Sequence, residues 1–376
     1  MSHRIERIAL DRPSLGTQRE LLVHRFGRWG EGPKAYIQAA IHAGETPALL
    51  VAHHLLALLG EADVPGEVVL VPFANPVGLA QSIQGHHLGR HDLDSGVNFN
   101  RGMPDLSEAV DAAVGEGLGS DARTNVAIVR EAMAEALAGL RLAREGSLLK
   151  AALLGLACDA DIVLDLHCAQ RALLHLFVDG ALWPQAADLH ADLGCALTLL
   201  ENGTGSGLAF DHACTVVWRT LQERHPGKAI PHACLAATVG LRGFADVDDA
   251  TAAADAAAIL RFLRRRGVVA GDPGPLPQPA GEALPLEAVG FAEAPVAGVV
   301  TFRVSLGDVV RRGDILAEIV DPAATRASGA RVAVASPTDG LVYELADRRF
   351  LWQGDTVCHV AGREPVAGQR TNLLGD

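Results

Sequence analysis

Short apolar segments alternate with segments of helical character along the first two thirds of the chain. Residues 34–41 form an apolar run whose length suits a buried strand, and the sequence from Thr46 onward predicts a helix. Thr46 can cap this helix, with Pro47 at the first helical position, where a missing N–H costs nothing. Residues 161–167, rich in leucine and β-branched side chains, predict a second buried strand. The pattern is typical of an α/β fold.

The pattern changes after residue 267. Residues 246–266 are rich in alanine, acidic at their start and basic at their end, which predicts a helix that Gly267 stops. Four prolines within residues 271–281 then predict a semi-rigid, extended linker. We therefore expect a first domain over residues 1–267, a Pro-rich linker over 268–286, and a second domain with a tail over 287–376.

Residues 298–320 and 336–344 predict short strands that turn at Gly-Asp pairs. They resemble the all-β lipoyl/biotinyl-type sandwich, in which two quasi-repeated halves pack together. Those domains carry a modified lysine at a hairpin tip, whereas residues 287–362 contain no lysine. A swinging-arm carrier is therefore excluded, and we expect a structural appendage or a wall that narrows a cleft.

Composition narrows the class of protein. The chain has 376 residues, 49% of them hydrophobic, which is enough for a large core, and its net charge of −13 argues against nucleic acid or an anionic membrane as partner. No long uncharged apolar run occurs, the first residues lack the features of a signal peptide, and the six cysteines show no Cys-x-x-Cys spacing. We expect a cytoplasmic protein with reduced thiols. Exposed β edges in the C-terminal region favour a homodimer.

The candidate chemistry lies where the two predicted strands end. His42 and Glu45 follow the first strand, and His167 stands near the end of the second. Ligands of α/β sheets bind outside the carboxyl ends of strands, so these residues can meet in one crevice. Two imidazoles and a carboxylate are the ligand set of a catalytic zinc with one open position.

Other interpretations of these residues stay open. The chain has 15 histidines, and His-x-x-Glu alone is weak evidence for a metal site. His86, His87 and His91 crowd a loop and form a rival metal cluster, although no rigid strand positions them. Asp165 lies two residues before His167 and can therefore face the same way, either to orient that imidazole or to bond backbone amides.

An amide and a guanidinium stand side by side at Asn100 and Arg101. Arginine binds carboxylates in a planar fork, so this pair near a zinc suits a substrate that bears a carboxylate. Arg90 is a second candidate cation, either for the substrate or for the oxyanion that develops during attack.

Taken together, these motifs carry a resemblance. His-x-Gly-Glu ending at Glu45, Asn-x-Asn-Arg ending at Arg101, Asp-Leu-His ending at His167 and Ala-Thr-Val-x-Leu-Arg-Gly over 237–243 resemble the succinylglutamate desuccinylase/aspartoacylase family. This family belongs to the zinc carboxypeptidase-like hydrolases, and the resemblance covers about residues 30 to 270. It implies a zinc carboxypeptidase-like mixed sheet flanked by helices, followed here by the β sandwich.

The resemblance also implies roles for single residues. Zinc would be held by His42, Glu45 and His167, and the substrate carboxylate by Asn100 and Arg101. Arg90 matches the arginine that polarises the scissile carbonyl, at a looser spacing to Arg101 than in the family pattern. The implied reaction is hydrolysis of a small N-acyl amino acid by a zinc-dependent deacylase.

One position departs from the family pattern. Members carry a glutamate as general base where this chain has Gly240. Such a base contributes about 100- to 10,000-fold through proton transfer, so its loss matters. Glu201 is a candidate substitute. Two alternatives to a working deacylase therefore remain: a catalytically impaired zinc-binding relative that binds an acylated ligand, and a zinc carboxypeptidase that acts on peptides.

Overall fold

The computed structural model of the chain describes residues 2–10, 15–202, 207–325 and 329–366. Within these ranges the helices are α1 (Thr46–Glu61), α2 (Pro76–Leu79), α3 (Ser107–Val114), α4 (Ala122–Ala138), α5 (Glu145–Ala157), α6 (Trp183–Leu193), α7 (Phe210–Arg224) and α8 (Asp249–Arg265). The strands are β1 (His3–Ala9), β2 (Glu20–Gly27), β3 (Lys34–Ala39), β4 (Glu67–Val71), β5 (Ser82–Ile83), β6 (His86–His87), β7 (Ile162–Ala169), β8 (Arg171–Ala172), β9 (His175–Asp179), β10 (Leu197–Glu201), β11 (Leu235–Gly243), β12 (Glu282–Pro285), β13 (Val289–Glu293), β14 (Gly298–Phe302), β15 (Val309–Val310), β16 (Ile315–Val320), β17 (Arg331–Ala335), β18 (Gly340–Leu345), β19 (Phe350–Leu351) and β20 (Thr356–Ala361). No helix of the described part is long and apolar enough to cross a membrane.

A nine-stranded mixed sheet forms the centre of the molecule. Its order is β1-β2-β4-β3-β7-β11-β9-β10-β12. β4, β3, β7 and β11 run parallel to one another, whereas β9 is antiparallel to β11. β7 lies in the middle and is buried along almost its whole length, as expected for a strand covered on both faces. The predicted α/β fold with a mixed sheet and flanking helices is confirmed.

Helices cover both faces of this sheet, and each face has its own core. α1, α6 and α8 pack over one face, and the core on that side includes Leu166 of the sheet and Ile259 of α8. The other face is covered by α3, α4, α5 and α7, and the core on that side includes Val163 of the sheet and Trp218 of α7. Since alternate residues of a strand project to opposite sides, His167 shares the face of Val163.

The first helix starts one residue away from its predicted start. Glu45 occupies the N-cap position of α1, Thr46 is the first helical residue and Pro47 the second. The prediction that Thr46 caps and Pro47 opens the helix is therefore wrong by one residue. The Glu45 carboxylate makes no capping bond because it faces two histidines, and the turn is closed by the backbone, with Glu45 N–H donating to the His42 carbonyl.

The helix predicted over residues 246–266 forms as α8, three residues shorter at its start. The Asp248 side chain accepts the backbone N–H of Thr251 at 2.8 Å and so caps the helix. At its end, Gly267 adopts the left-handed φ of 70° that favours glycine, as the predicted stop requires.

Two antiparallel sheets follow in the C-terminal region. One has the order β13-β20-β18-β15 with β8 paired to β18, and the other the order β17-β16-β14-β19. Apolar residues such as Leu316, Val342 and Leu351 fill the space between them. Residues 282–285 of the predicted linker form β12, the edge strand of the central sheet. The lipoyl/biotinyl-like architecture and the three domain boundaries stay predictions.

Candidate metal centre

The turn between β3 and α1 places His42 and Glu45 at the carboxyl edge of the sheet. Directly after β3, Ala40 takes a left-handed backbone conformation with a φ of 57°, which redirects the chain. Such a φ is uncommon for a residue with a Cβ and needs support from its surroundings. The Ala40 N–H donates to the carbonyl oxygen of Leu166, 3.2 Å away on β7. The turn is thus tied to the strand that carries His167.

One buried group, called the metal group from here on, consists of His42, Glu45 and His167. Glu45 lies between the two imidazoles, with its Oε1 2.9 Å from His42 Nδ1 and its Oε2 2.8 Å from His167 Nδ1. The ligand atoms of the three residues all lie within 4.8 Å of one another. This donor set is that of a mononuclear metal centre with room for a further ligand.

Hydrogen bonds fix which nitrogen of His42 faces the group. The oxygen of the Asn98 amide is identified by the backbone N–H of Asn100, which it accepts at 2.8 Å. His42 Nε2 lies 2.8 Å from the same oxygen and must therefore donate to it. Burial lowers the pKa of His42, so the neutral ring is favoured and its lone pair stands on Nδ1, facing Glu45.

Asp165 fixes His167 in the same way. Its Oδ2 lies 2.8 Å from His167 Nε2, and its Oδ1 accepts from Gln38 Nε2 at 2.9 Å. A carboxylate oxygen only accepts, so His167 donates through Nε2 and directs Nδ1 at Glu45. A carboxylate behind a ligating imidazole orients the ring and raises its basicity. Of the two roles that the sequence left open, Asp165 thus takes the orienting one.

The electrostatics of the group favour a cation at its centre. Burial opposes charge on His167, but Asp165 and Glu45 outweigh it and raise its pKa to about 10. Burial likewise opposes charge on Glu45, but the charged imidazole of His167 prevails and holds the pKa of Glu45 well below the usual range. The His42 lone pair faces a carboxylate oxygen at 2.9 Å, which is unfavourable unless a cation neutralises the contact. The donor set therefore fits the zinc that the resemblance implies.

Arg90 lies at the open side of the group. Its Nη1 is 3.3 Å from His42 Nδ1 and 3.9 Å from Glu45 Oε1. The side chain is nevertheless 44% exposed, so the guanidinium reaches both the ligand group and solvent. This position suits a cation that meets a substrate oxygen.

Asn100 is buried behind His167, and Arg101 is closer to solvent. The Asn100 Oδ1 accepts the backbone N–H of Phe210 at 2.9 Å, and its Nδ2 is 3.4 Å from Asp165 Oδ2. Both polar ends of the Asn100 amide are thus used inside the protein. Arg101 is half-buried and donates from Nη1 to the Asn100 carbonyl oxygen at 2.7 Å.

Glu201 belongs to a second group, with Asp211 and His212 of α7. Its Oε2 lies 2.6 Å from His212 Nε2. Burial raises the pKa of Glu201, whereas for His212 the carboxylates Asp211 and Glu201 outweigh burial and raise the pKa to about 9. Glu201 and His212 therefore hold a proton between them. Of the glycine-rich stretch after Glu201, residues 203–206 lie outside the described residues.

The histidines of the predicted rival cluster do not come together in this way. Among the described residues, the two groups above are the only closely spaced sets of three metal-ligating side chains. His86 and His87 are exposed on the short β5–β6 hairpin, and His87 Nε2 donates to the Gly78 carbonyl oxygen at 2.9 Å.

Gly240 faces a residue that sequence reasoning missed. In the register of β9 and β11 it pairs with His175, and a Cβ on Gly240 would lie 2.3 Å from His175 Cε1 and 2.4 Å from Nε2. The imidazole thus fills the space above the glycine. The position of His175 beside Gly240 could not be predicted, because this antiparallel pairing joins segments far apart in sequence. A histidine directly before the apolar residues Leu176, Phe177 and Val178 was the one available sign.

The comparisons with known proteins concern the family and the fold of this chain. Residues 31–119 match the family model of the succinylglutamate desuccinylase/aspartoacylase catalytic domain, a range that contains His42, Glu45, Arg90, Asn100 and Arg101. No curated protein matches the chain.

Solved structures match the chain over nearly its whole length. A succinylglutamate desuccinylase/aspartoacylase family protein from Shewanella amazonensis SB2B is 28% identical, covers 96% of this chain and 98% of its own, and gives a TM-score of 0.85. A second, from Shewanella frigidimarina NCIMB 400, is 25% identical, covers 98% and 99%, and gives 0.86. The ectoine utilization protein EutE (DoeB) from Ruegeria pomeroyi, at 18% identity with 96% and 95% covered and a TM-score of 0.66, shares the fold. The resemblance predicted from the motifs, to the succinylglutamate desuccinylase/aspartoacylase family of hydrolases, is therefore confirmed.

Proposed function

We propose that this protein is a zinc-dependent hydrolase that removes the acyl group from a small N-acyl amino acid. The observation that carries the proposal is the buried group of His42, Glu45 and His167, in which both imidazoles are fixed with Nδ1 toward one carboxylate. When bound, zinc would supply a Lewis acid for the acyl oxygen and a water activated as nucleophile. Other divalent ions bind the same donor set, so the metal is part of the proposal.

The residues around the metal group provide the remaining functions. Arg90 would stabilise the oxyanion of the tetrahedral intermediate, because it combines contact with His42 with an exposed side chain. Arg101 would bind the amino acid carboxylate through its positive charge. Asn100, which the sequence paired with Arg101 in that role, would instead position Asp165 and His167, because both ends of its amide are already bonded.

The C-terminal β region supports a small substrate. β8 begins two residues after β7, the strand of His167, and pairs with β18, so the C-terminal sheet joins the central sheet beside the metal group. A wall at this place would restrict the cleft and favour a small N-acyl amino acid over a peptide. A homodimer stays a prediction.

The test is amine release from a panel of N-acetyl and N-succinyl amino acids by the zinc-loaded protein. We expect turnover that a chelator abolishes and added zinc restores. Glu45→Gln should also abolish turnover, because it replaces a carboxylate ligand of the metal with a neutral amide. His54→Gln, a partly exposed histidine on α1, is the matched control and should retain full activity. Activity that survives Glu45→Gln would contradict the proposal, and release of C-terminal residues from peptides would support the carboxypeptidase alternative.

Gly240 favours a second candidate function. A chain without a base at this position could keep zinc and ligand binding while losing turnover. Calorimetry with the same N-acyl amino acids distinguishes the two: binding without amine release would support an impaired relative, whereas release at enzymatic rates excludes it.

A further inference from the structure

His175 leans over Gly240 toward the metal group. Three ring atoms, Cε1, Nε2 and Nδ1, lie 2.3, 2.4 and 2.7 Å from the position that a Cβ on Gly240 would take. An ordinary side chain contact would be more than 3.4 Å away, so ring and Cβ cannot coexist at this place. The imidazole therefore occupies the start of the path that a side chain on residue 240 would follow.

The register shows which way this path points. Gly240 pairs with His167 across β11 and β7, and with His175 across β11 and β9. Residues paired directly across strands project to the same face of a sheet. His167 and His175 thus stand on one face, two strands apart, and the ring above Gly240 reaches from β9 in the direction of β7. The glycine is what leaves room for it.

The hydrogen bonding of His175 leaves Nε2 as a proton acceptor. Its Nδ1 lies 2.8 Å from the carbonyl oxygen of Leu173, which only accepts, so Nδ1 carries the proton. The Leu173 N–H in turn donates to the carbonyl oxygen of Tyr343 at 2.9 Å, and the Tyr343 ring packs edge-on against His175 at 5.6 Å. The C-terminal sheet therefore holds the ring in this tautomer and orientation.

Burial keeps the imidazole of His175 neutral near pH 7. It is the largest effect and lowers the pKa of His175, the bond to the Leu173 carbonyl oxygen and the charge of Glu344 act to raise the pKa, and His359 and His167 act to lower it. Glu344 is itself paired with His359 at 2.9 Å. A neutral imidazole with a lone pair on Nε2 is the form that a general base requires.

We propose that His175, through Nε2, is the general base of this hydrolase, in place of a carboxylate on residue 240. The inference rests on the proposed function. Nε2 takes a proton from the attacking water, directly or through one further water, as the water oxygen forms its bond to the acyl carbon. The same proton is then delivered to the leaving nitrogen as the C–N bond breaks, so that His175 returns to its neutral form. The products are an amine and a carboxylic acid, which loses its remaining proton to solvent and becomes the carboxylate. Glu201 is a weaker candidate because His212 already holds its carboxyl group.

His175→Gln tests the proposal, with His190→Gln as matched control, since His190 is a buried histidine on the opposite face of the sheet. We expect kcat of His175→Gln to fall about 100- to 10,000-fold with KM little changed. The acidic limb of the pH profile of kcat/KM, which reports protonation of His175 below its lowered pKa, should disappear. Zinc affinity, measured by competition with a chelating dye, should equal that of the parent, and added imidazole should restore part of the activity of His175→Ala.

Each other outcome has a separate meaning. If the parent enzyme turns over and His175→Gln stays within threefold of it, His175 is not the base, although the hydrolase proposal stands. Lost zinc affinity without imidazole rescue would assign His175 a structural role and overturn the proposal. No turnover by the parent would overturn the hydrolase proposal and the base with it. If the variants do not fold, ¹⁵N-histidine NMR of the parent decides: His175 Nε2 should shift when acetohydroxamate binds, and an unmoved signal overturns the assignment.

Discussion

Each histidine of the metal group is held by a residue behind it, so the geometry of the site depends on side chains that touch no substrate. Asn98 orients His42, and Asp165 orients His167. Asp165 also accepts from Gln38, whose own oxygen accepts the hydroxyl of Tyr36 at 2.8 Å. These bonds reduce the orientations that the rings can take before a metal arrives.

Asp165→Asn should therefore weaken metal binding without removing a ligand. We expect zinc affinity to fall about 10- to 100-fold, because an amide holds the imidazole less firmly and leaves it less basic. Competition with a chelating dye measures the change. Asp179→Asn, which removes a carboxylate at the end of β9, is the control and should bind zinc like the parent. Equal affinity for Asp165→Asn would show that His167 needs no such support.

Gly240→Ala tests how tightly residue 240 and His175 are packed. The new methyl group would lie 2.3 Å from the ring, so we expect a loss of about 1–3 kcal/mol in the free energy of unfolding. In a His175→Ala background the same change should cost clearly less, because the obstructing ring is gone. Urea denaturation measures both.

The control for this packing test is Gly155→Ala on α5. A Cβ there meets nothing within 4 Å, so the stability should be unchanged or slightly raised. An equal loss for Gly240→Ala in both backgrounds would contradict the packing argument. The same geometry implies that Gly240→Glu cannot simply add a carboxylate, since it must first displace His175.

Among the helices and strands, the most predictable were those in which an apolar run of strand length is followed directly by metal-ligating residues. The strands ending near His42 and His167 could be predicted, because apolar runs of this length suit a buried sheet and the ligands follow at their ends. The support by Asn98 and the position of His175 could not, because they depend on a loop packing onto a strand and on a register between distant segments. The start of α1 was misplaced because Glu45 bonds histidines instead of its own helix.

α8 illustrates an element fixed by charge. The predicted basic end of this helix reaches Asp192 of α6, a fully buried carboxylate that lies 2.9 and 3.0 Å from two nitrogens of Arg265 and 3.8 Å from Arg261. Asp192→Asn should lower the free energy of unfolding by about 2–3 kcal/mol, because the arginines lose their buried partner. Urea denaturation checks this value.

Asp188→Asn is the control for the α6 to α8 contact. Asp188 is partly exposed and pairs with Arg266, so its loss should cost about 1 kcal/mol or less. A similar cost for the two variants would mean that burial of Asp192 adds nothing to the attachment of α8.

At the scale of the whole molecule, the central sheet and the C-terminal sheets share a small apolar core. Leu199 of β10 and Leu284 of β12 pack there with Tyr343 of β18 and Val289 of β13. Tyr343 also contacts His175, so the packing that joins the two regions borders the proposed base. We therefore expect the two regions to unfold as one unit.

Tyr343→Ala tests this expectation, because it empties the shared core without touching the metal ligands. Tyr343 is 1% exposed, and its truncation should cost about 3–5 kcal/mol, whereas Tyr343→Phe, which removes only the hydroxyl 3.2 Å from His359 Nδ1, should cost about 0.5–1.5 kcal/mol. Hydrogen exchange followed by mass spectrometry should show peptides of β11 and β16 losing protection by the same free energy in Tyr343→Ala, since cooperative opening exposes both. If β16 loses protection while β11 keeps it, the C-terminal sheets open independently, and Tyr343 cannot be what holds His175 in place over Gly240.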